Sequence, residues 1–256
     1  MSISPTCDSH FRARLQQRKH LIGTFVKTPT SHAIEIMGLV GFDFVIVDQE
    51  HAPFDRAAMD VACLAARASG IAAIVRVAEA TPSAILCALD LGADGIMAPH
   101  IDSPEKARAL ARACRYRSGT RGYSSTTRAG RYGDAKMAEH MADQDARVVC
   151  IAMIEDEAAL TQLDAIAQVP GIDGLFIGRG DLSAALGAAR AAEATRRIAM
   201  AARTADLAVM ALVSTKEDAA AMRNMGVSAF AISNDQSFMK AAAAQAVKDY
   251  RDPAGL

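Results

Sequence analysis

Eight short β-rich apolar runs recur along the chain, at Leu21–Lys27, Phe42–Asp48, Ala72–Val77, Gly95–His100, Arg147–Glu155, Gly174–Arg179, Leu207–Val213 and Ala229–Asn234. Most are continuous rather than alternating, which is how strands buried on both faces read in a parallel sheet covered by helices. Between them lie Ala-rich segments with helix-start and helix-stop residues. Asp55 precedes Arg56–Ser69 and Gly70 follows it, Thr81-Pro82 and Ser103-Pro104 open two more, and Thr215 leads towards Gly226. A capping oxygen or a proline at the first turn, and glycine just past the end, mark helix boundaries. Strand–helix alternation repeated eight times predicts an α/β fold, a single-domain (β/α)8 TIM barrel, with a doubly wound open sheet as the competitor.

Two segments break the rhythm. About thirty residues, from Arg117 to Ala146, separate the fourth helix from the fifth strand and begin with the Gly- and Ser-rich stretch 118–125. Read as a long βα-type excursion, this segment is expected to be functional rather than a bare surface loop. The last helix, Asp235–Arg251, is Ala-rich on nearly every side, so residues 235–256 are expected to pack on a neighbouring subunit as readily as on their own barrel.

Composition narrows the classes of function. With 256 residues, 51% hydrophobic and 22% charged, the chain is long enough for one barrel with a substantial core and unlike a disordered segment. No apolar run approaches the ~20 residues that span a bilayer. A formal net charge of −1 without basic clusters argues against nucleic acid as a partner. The stretch Met1–His20 lacks the apolar core of a signal peptide, so a cytoplasmic location is expected. Cys7, Cys63, Cys87, Cys114 and Cys150 are odd in number and widely spaced, and read as reduced, mostly buried thiols.

In an α/β barrel the chemistry collects at the carboxyl ends of the strands. The second run ends in Asp48-Gln-Glu50-His51, the third carries Arg76, the fifth ends at Glu155, and the sixth leads into Gly178-Arg-Gly180-Asp181. Charge at the end of an apolar strand is costly unless it is paired or holds an ion. Glu155 and Asp181 are hard oxygen donors on adjacent strands and suit Mg²⁺ or Mn²⁺, with helix capping as the bland alternative for Asp181. Arg76 on a buried strand must reach a carboxylate or an anionic ligand. His51, beside Glu50 and three residues from Asp48, is a candidate general base oriented by a carboxylate. The Gly178–Ser183 turn opens a short helix whose free amides could hold an anion, a weak signal because such turns are common.

These residues carry a resemblance that runs through nearly the whole chain. Gly23-Thr-Phe25 with Glu35, the stretch 41–53 ending in Asp-Gln-Glu-His-Ala-Pro, Val75-Arg-Val77, Leu89-Asp-Leu-Gly-Ala93, Arg121-Gly122, Ile154-Glu155 and Gly178-x-x-Asp-Leu-Ser183 resemble the HpcH/HpaI aldolases, class II pyruvate-dependent enzymes. The resemblance implies reversible cleavage of a 4-hydroxy-2-oxoacid to pyruvate and an aldehyde, with a divalent cation (Mg²⁺ or Mn²⁺, with Co²⁺ a further candidate) at Glu155 and Asp181. It implies that pyruvate binds that metal through its carboxylate and keto oxygen. Arg76 would hold the keto oxygen, and the backbone of Gly180 and Asp181 the carboxylate. His51, paired with Asp48, would act as acid and base through water. Glu50, Asp90 and Arg121 would support the site, Asp90 from a neighbouring subunit of a hexamer.

Two positions depart from the family's pattern. Met153 stands where many relatives carry Gln, and Arg179 where a smaller residue is expected, so substrate choice is open and an anionic acceptor aldehyde is one candidate. No lysine ends a central strand, which disfavours a Schiff-base aldolase. A lyase acting on acyl-CoA thioesters, like the citrate-lyase β-subunits, and a non-catalytic oxoacid-binding barrel are the competing readings.

Overall fold

The computed structural model describes residues 11–251. Eight parallel strands close into a barrel in chain order: β1 Leu21–Val26, β2 Phe44–Asp48, β3 Ala72–Arg76, β4 Gly95–Ala98, β5 Val149–Ile154, β6 Gly174–Ile177, β7 Ala208–Val213 and β8 Ala229–Asn234. β8 pairs back onto β1, with Leu21 opposite Ala229, so the open-sheet alternative is excluded. The helices are α1 Phe11–Gln16, α2 Ser31–Leu39, α3 Arg56–Ser69, α4 Pro82–Asp90, α5 Pro104–Ala113, α6 Met137–Arg147, α7 Leu163–Ala167, α8 Arg179–Leu186, α9 Ala188–Thr204, α10 Lys216–Asn224 and α11 Asp235–Arg251. The expected caps are in place: Asp55, Thr81, Ser103 and Thr215 each accept from a first-turn amide, and Gly70 ends α3 in the left-handed conformation.

Two apolar layers follow from the strands being buried on both faces. The outer layer lies between strands and helices. The inner one fills the barrel lumen with Phe25, Phe44, Ile46, Ile74, Ile151, Met153, Phe176 and Met210. The polar-looking N-terminal stretch contributes α1, whose Phe11 and Leu15 join that inner layer. Cys63, Cys114 and Cys150 are buried and Cys87 half-buried, all as free thiols, while Cys7 lies outside the described residues.

A repeated device sets the amino ends of β2, β4 and β6. Gly41-Phe-Asp43, Gly92-Ala-Asp94 and Gly171-Ile-Asp173 each turn on a glycine with φ between 91° and 96°. Each aspartate then accepts from the backbone N–H of the second residue of the preceding odd strand: Ile22 to Asp43 at 2.8 Å, Ala73 to Asp94 at 2.9 Å, Cys150 to Asp173 at 2.9 Å. A side chain at φ near +90° would be strained, so glycine is required where the chain reverses into the next strand.

The long segment after Arg117 is not a βα excursion. It follows α5 and contains α6 before β5 begins, so it is a helix-to-strand connection at the amino end of the barrel. Its anchors are structural: Asp145 accepts from the amides of Tyr116 and Arg117, and Arg128 pairs with Asp60 at 2.6 Å. A segment that lies between a helix and a strand belongs at the amino end of a barrel, so the expectation of a βα excursion is corrected.

Helix α11 touches the barrel only through its first turn. Asp235 accepts from the amides of Lys27 and Thr28, and Phe238 packs on Phe42. From residue 239 to 251 every residue is exposed. No helix among the described residues is long and apolar enough to cross a membrane.

Candidate active site

The carboxyl ends of β2, β3, β4, β5 and β6 bring Asp48, Glu50, Arg76, His100 and Glu155 together, with Asp181 on the first turn of α8. Asp48, fully buried, grips Arg76 through two hydrogen bonds, from Nε at 2.9 Å and from Nη2 at 2.8 Å. Lys27 Nζ lies 3.2 Å from the same carboxylate. Burial pushes the Asp48 carboxyl up, but the hydrogen bonds and charge of Arg76 hold it below the usual range. The guanidinium also stacks over Phe25, its Cζ 5.0 Å from the ring centroid. Its Nη1 edge faces Glu50 Oε2 at 3.0 Å and Met153 Sδ at 4.0 Å. A strand arginine here is thus immobilised by one carboxylate while one edge lies close to a second.

Glu155 is 3% exposed and carries the main electrostatic anomaly. Burial raises its carboxyl to about 7, the negative charges of Glu50 and Asp181 push the same way, and the backbone N–H and charge of His100 only partly oppose them. Glu50 Oε2 is buried without a hydrogen-bond partner, its approach to Arg76 being close in distance but not directed. Gly178 is dictated by this packing, because a Cβ there would overlap the Glu155 side chain.

His51 does not form the expected side-chain pair with Asp48. Its backbone N–H donates to Asp48 Oδ1 at 3.2 Å, while the imidazole is more than half exposed and lies 3.8 Å from Glu50 Oε2. Asp48 is already committed to Arg76 and Lys27, which the linear spacing of Asp48 and His51 could not reveal. Asp90 and Arg121 are not in this cluster. They face each other at 3.5 Å where α4 ends, and α4 runs from the carboxyl end of β3 back to the amino end of β4.

The residue that sequence reasoning passed over is His100. It follows β4 with φ 55°, an uncommon left-handed conformation for a side-chain-bearing residue. Its amide donates to Glu155 Oε1 at 2.9 Å, and its ring reaches Asp156 at 3.1 Å and Glu50 at 3.7 Å. Burial lowers its pKa, but the hydrogen bond to Asp156 and the charges of Glu155 and Glu50 outweigh it and raise the ring above its ordinary value. Glu50, His100 and Glu155 offer ligand atoms within 4.8 Å of one another, spacing that suits a cation. His100 closes its apolar run just as Asp48 and Glu155 close theirs, so the strand-end rule could have found it.

Beside this cluster opens a cavity of about 600 Å³ lined by Arg76, Met153, Gly178, Gly180, Asp181 and residues at the carboxyl ends of β7 and β8. It therefore joins a fixed guanidinium, the Asp181 carboxylate and the amino end of α8 in one space.

Residues 21–241 match the family model for HpcH/HpaI aldolase/citrate lyase. A 2-dehydro-3,6-dideoxy-6-sulfogluconate aldolase from Pseudomonas putida is 38% identical over 174 residues, 68% of each chain. A pyruvate aldolase from Rhizobium etli is 37% identical over 181 residues, 70% of each chain. Among solved structures, a protein of the same family from Burkholderia cenocepacia superposes with a TM-score of 0.89 at 28% identity, covering 95% of this chain and 100% of its own. The citrate synthase SbnG gives a TM-score of 0.85 at 27% identity, covering 94% and 96%. The chain thus belongs to the HpcH/HpaI aldolase/citrate lyase family and is a carbon–carbon lyase.

Proposed function

We propose that this chain catalyses the metal-dependent, reversible aldol cleavage of a 4-hydroxy-2-oxoacid to pyruvate and an aldehyde. The observation that carries the proposal is the surplus of buried negative charge around Glu155: a carboxyl pushed to about 7 beside Glu50, whose Oε2 has no hydrogen-bond partner. A divalent cation would neutralise that surplus. The oxygen donors Glu155 and Asp181 suit Mg²⁺ or Mn²⁺, and the nearby ring of His100 extends the range to Co²⁺. When bound, the metal supplies Lewis-acid stabilisation of negative charge on the oxoacid's keto oxygen.

The chain's own groups supply the rest. Arg76, held rigid by Asp48 and Phe25, presents its Nη1 edge to the oxygen on which charge develops, at no cost of reorientation. The first amides of α8, at Gly180 and Asp181, lack intrahelical partners and take the oxoacid carboxylate. His51 receives the proton of the 4-hydroxyl; its exposed ring is reachable from solvent, and Asp48 fixes the loop that carries it. Lys27, the lysine at the cavity, is engaged by Asp48, which leaves a Schiff-base route without its amine.

A homo-oligomer, a hexamer by family resemblance, accounts for three features that one barrel leaves open. Residues 239–251 of α11 cover nothing within the chain, and Ile36, Leu39, Val61 and Leu64 form an exposed apolar surface on α2 and α3. Asp90 Oδ1 and Arg121 Nε and Nη2 are buried without hydrogen-bond partners, and would complete a neighbouring barrel's site from the amino end of their own. We place this work in the cytoplasm, with a small oxoacid and an aldehyde as partners.

The decisive experiment is exchange of pyruvate methyl protons with deuterium, followed by NMR with EDTA and then with added Mn²⁺ or Mg²⁺, because it needs no knowledge of the aldehyde. Metal-dependent exchange is expected, and no exchange with any divalent metal would overturn the proposal. The likeness to a citrate synthase favours one second reading, a lyase on acyl-CoA thioesters. Turnover of a CoA thioester without pyruvate exchange would select it.

A further inference from the structure

We propose a second binding site, for a small phosphate-bearing anion, in a cavity at the amino end of the barrel that the aldol reaction does not use. The cavity, about 260 Å³, lies between the second half of α3, the Gly92–Asp94 turn before β4, and the stretch 128–148. Arginines reach it from three elements: Arg67 from the last turn of α3, Arg128 and Arg131 from the connection after α5, and Arg147 from the last turn of α6. The site stands independently of the aldolase reading.

Two of these arginines have donors to spare. Arg128 gives Nη2 to Asp60 at 2.6 Å, but its side chain is only 11% exposed and its Nε is buried without an acceptor. Arg131 forms no ion pair or side-chain hydrogen bond among the described residues. The carboxylates of the lining, by contrast, already face cations: Asp143 and Asp94 lie 3.5 Å and 3.9 Å from Arg147, and Glu139 lies 3.9 Å from Lys136. Burial, reinforced by the charge of Arg121, lowers the pKa of the His140 ring on the cavity wall, so that ring does not supply the positive charge near neutrality and the arginines do.

The backbone points the same way. Arg131, Tyr132 and Gly133 follow one another at φ 52°, 55° and 95°. Two side-chain-bearing residues in succession in the left-handed region are strained, and such strain gathers at ligand sites. Here it accompanies the placing of Arg131 against the cavity that Arg128 lines. Stapling of the connection to the barrel would explain the Arg128–Asp60 and Arg147–Asp143 pairs, but not the partnerless Nε or Arg131. A planar carboxylate is satisfied by one guanidinium fork, whereas the oxygens of a phosphate diverge and suit cations arriving from several elements. The cavity falls below the roughly 300–1,000 Å³ of sites for drug-sized ligands, so the occupant is small.

The test titrates metal-free protein with inorganic phosphate, glycerol 3-phosphate and acetate by calorimetry, and locates the bound anion by amide hydrogen–deuterium exchange. A phosphate should bind, acetate should bind at least about tenfold more weakly, and exchange should slow within residues 128–148 and not in the first turn of α8. Tighter binding of glycerol 3-phosphate would identify an organic phosphate as the occupant, and tighter binding of inorganic phosphate the free ion. Arg128→Gln should weaken binding about tenfold or more. Arg131→Gln, at an exposed position with no partner to strand, should do the same at an unchanged melting temperature, so the site stays testable even if loss of the Asp60 pair unfolds the first variant. Protection at the first turn of α8 instead, undiminished binding in Arg131→Gln, or no binding of either phosphate would overturn the proposal.

Discussion

The two ends of the barrel both bury acidic side chains, and they treat them differently. At the amino end, Asp173 is 4% exposed and fully provided for: it accepts from Arg12 Nε at 2.9 Å, Gln16 Nε2 at 2.8 Å, Arg115 Nη2 at 3.1 Å and the Cys150 amide at 2.9 Å. At the carboxyl end, Glu155 is equally buried but accepts one backbone N–H and faces two further carboxylates. Two arginines oppose one aspartate in the first case. In the second, Arg76 is largely spent on Asp48, and the ring of His100 must answer for Glu50, Glu155 and Asp156. Buried charge that is satisfied within the fold holds it together. Buried charge left in surplus marks a place where something else is meant to bind.

Substitutions at the two ends should therefore separate activity from stability. The largest effect is expected for Glu155→Ala, which should lower metal-dependent pyruvate exchange by about 10³-fold or more while leaving the metal-free melting temperature unchanged or higher. A fall in stability like that of a core mutant would place Glu155 among the structural acids. Asp173→Ala should do the reverse. Stranding Arg115 and Arg12 at the buried end should cost about 3–5 kcal/mol in urea unfolding, with the surviving folded fraction still exchanging pyruvate protons.

Gly178→Ala sharpens the boundary between the two, because its new Cβ meets Glu155. Overpacking should cost about 1–3 kcal/mol, and displacement of the carboxylate should weaken Mn²⁺ binding about 10- to 100-fold by titration calorimetry. Tight Mn²⁺ binding in this variant would detach Glu155 from the metal.

The smallest expected effect is on pH. The folded chain keeps the Glu155 proton up to about 7, whereas the ordinary value is 4.5. Between those limits the folded state binds more protons than the unfolded one, so the stability of metal-free protein should fall as pH rises from about 4.5 to 7, by on the order of 2 kcal/mol. His100, also raised, acts in the same direction. Thermal melts in EDTA should show that slope, and Glu155→Gln should flatten most of it; an unchanged slope in the variant would remove Glu155 as its source.

The fold was legible because its signal is local. Eight apolar runs, most of them continuous, and four side-chain caps mark strands and helices without reference to anything distant, and a strand buried on both faces has no polar face to hide. Three features were harder. The Gly-x-Asp turns before β2, β4 and β6 repeat at irregular spacing, and their meaning lies in a hydrogen bond to a different strand. Helix α6 buries only His140, so no core-facing stripe marks it in the sequence. His100 looked like a solitary histidine because its carboxylate partners are about fifty residues away in either direction.

By itself the sequence determined where the eight strands lie, four of the helix starts and which residues stand at the carboxyl ends of the strands, since periodicity and capping are read within a few residues. Only the tertiary structure decided how the charges there divide their partners. Asp48 could have oriented His51 or held Arg76, and it holds Arg76, because barrel register sets Asp48 directly beside Arg76 on the neighbouring strand. Glu155 follows β5 at the carboxyl end of the barrel and Asp173 precedes β6 at the amino end. How fully each is satisfied is set by the cations and amides that closure of the barrel brings within its reach.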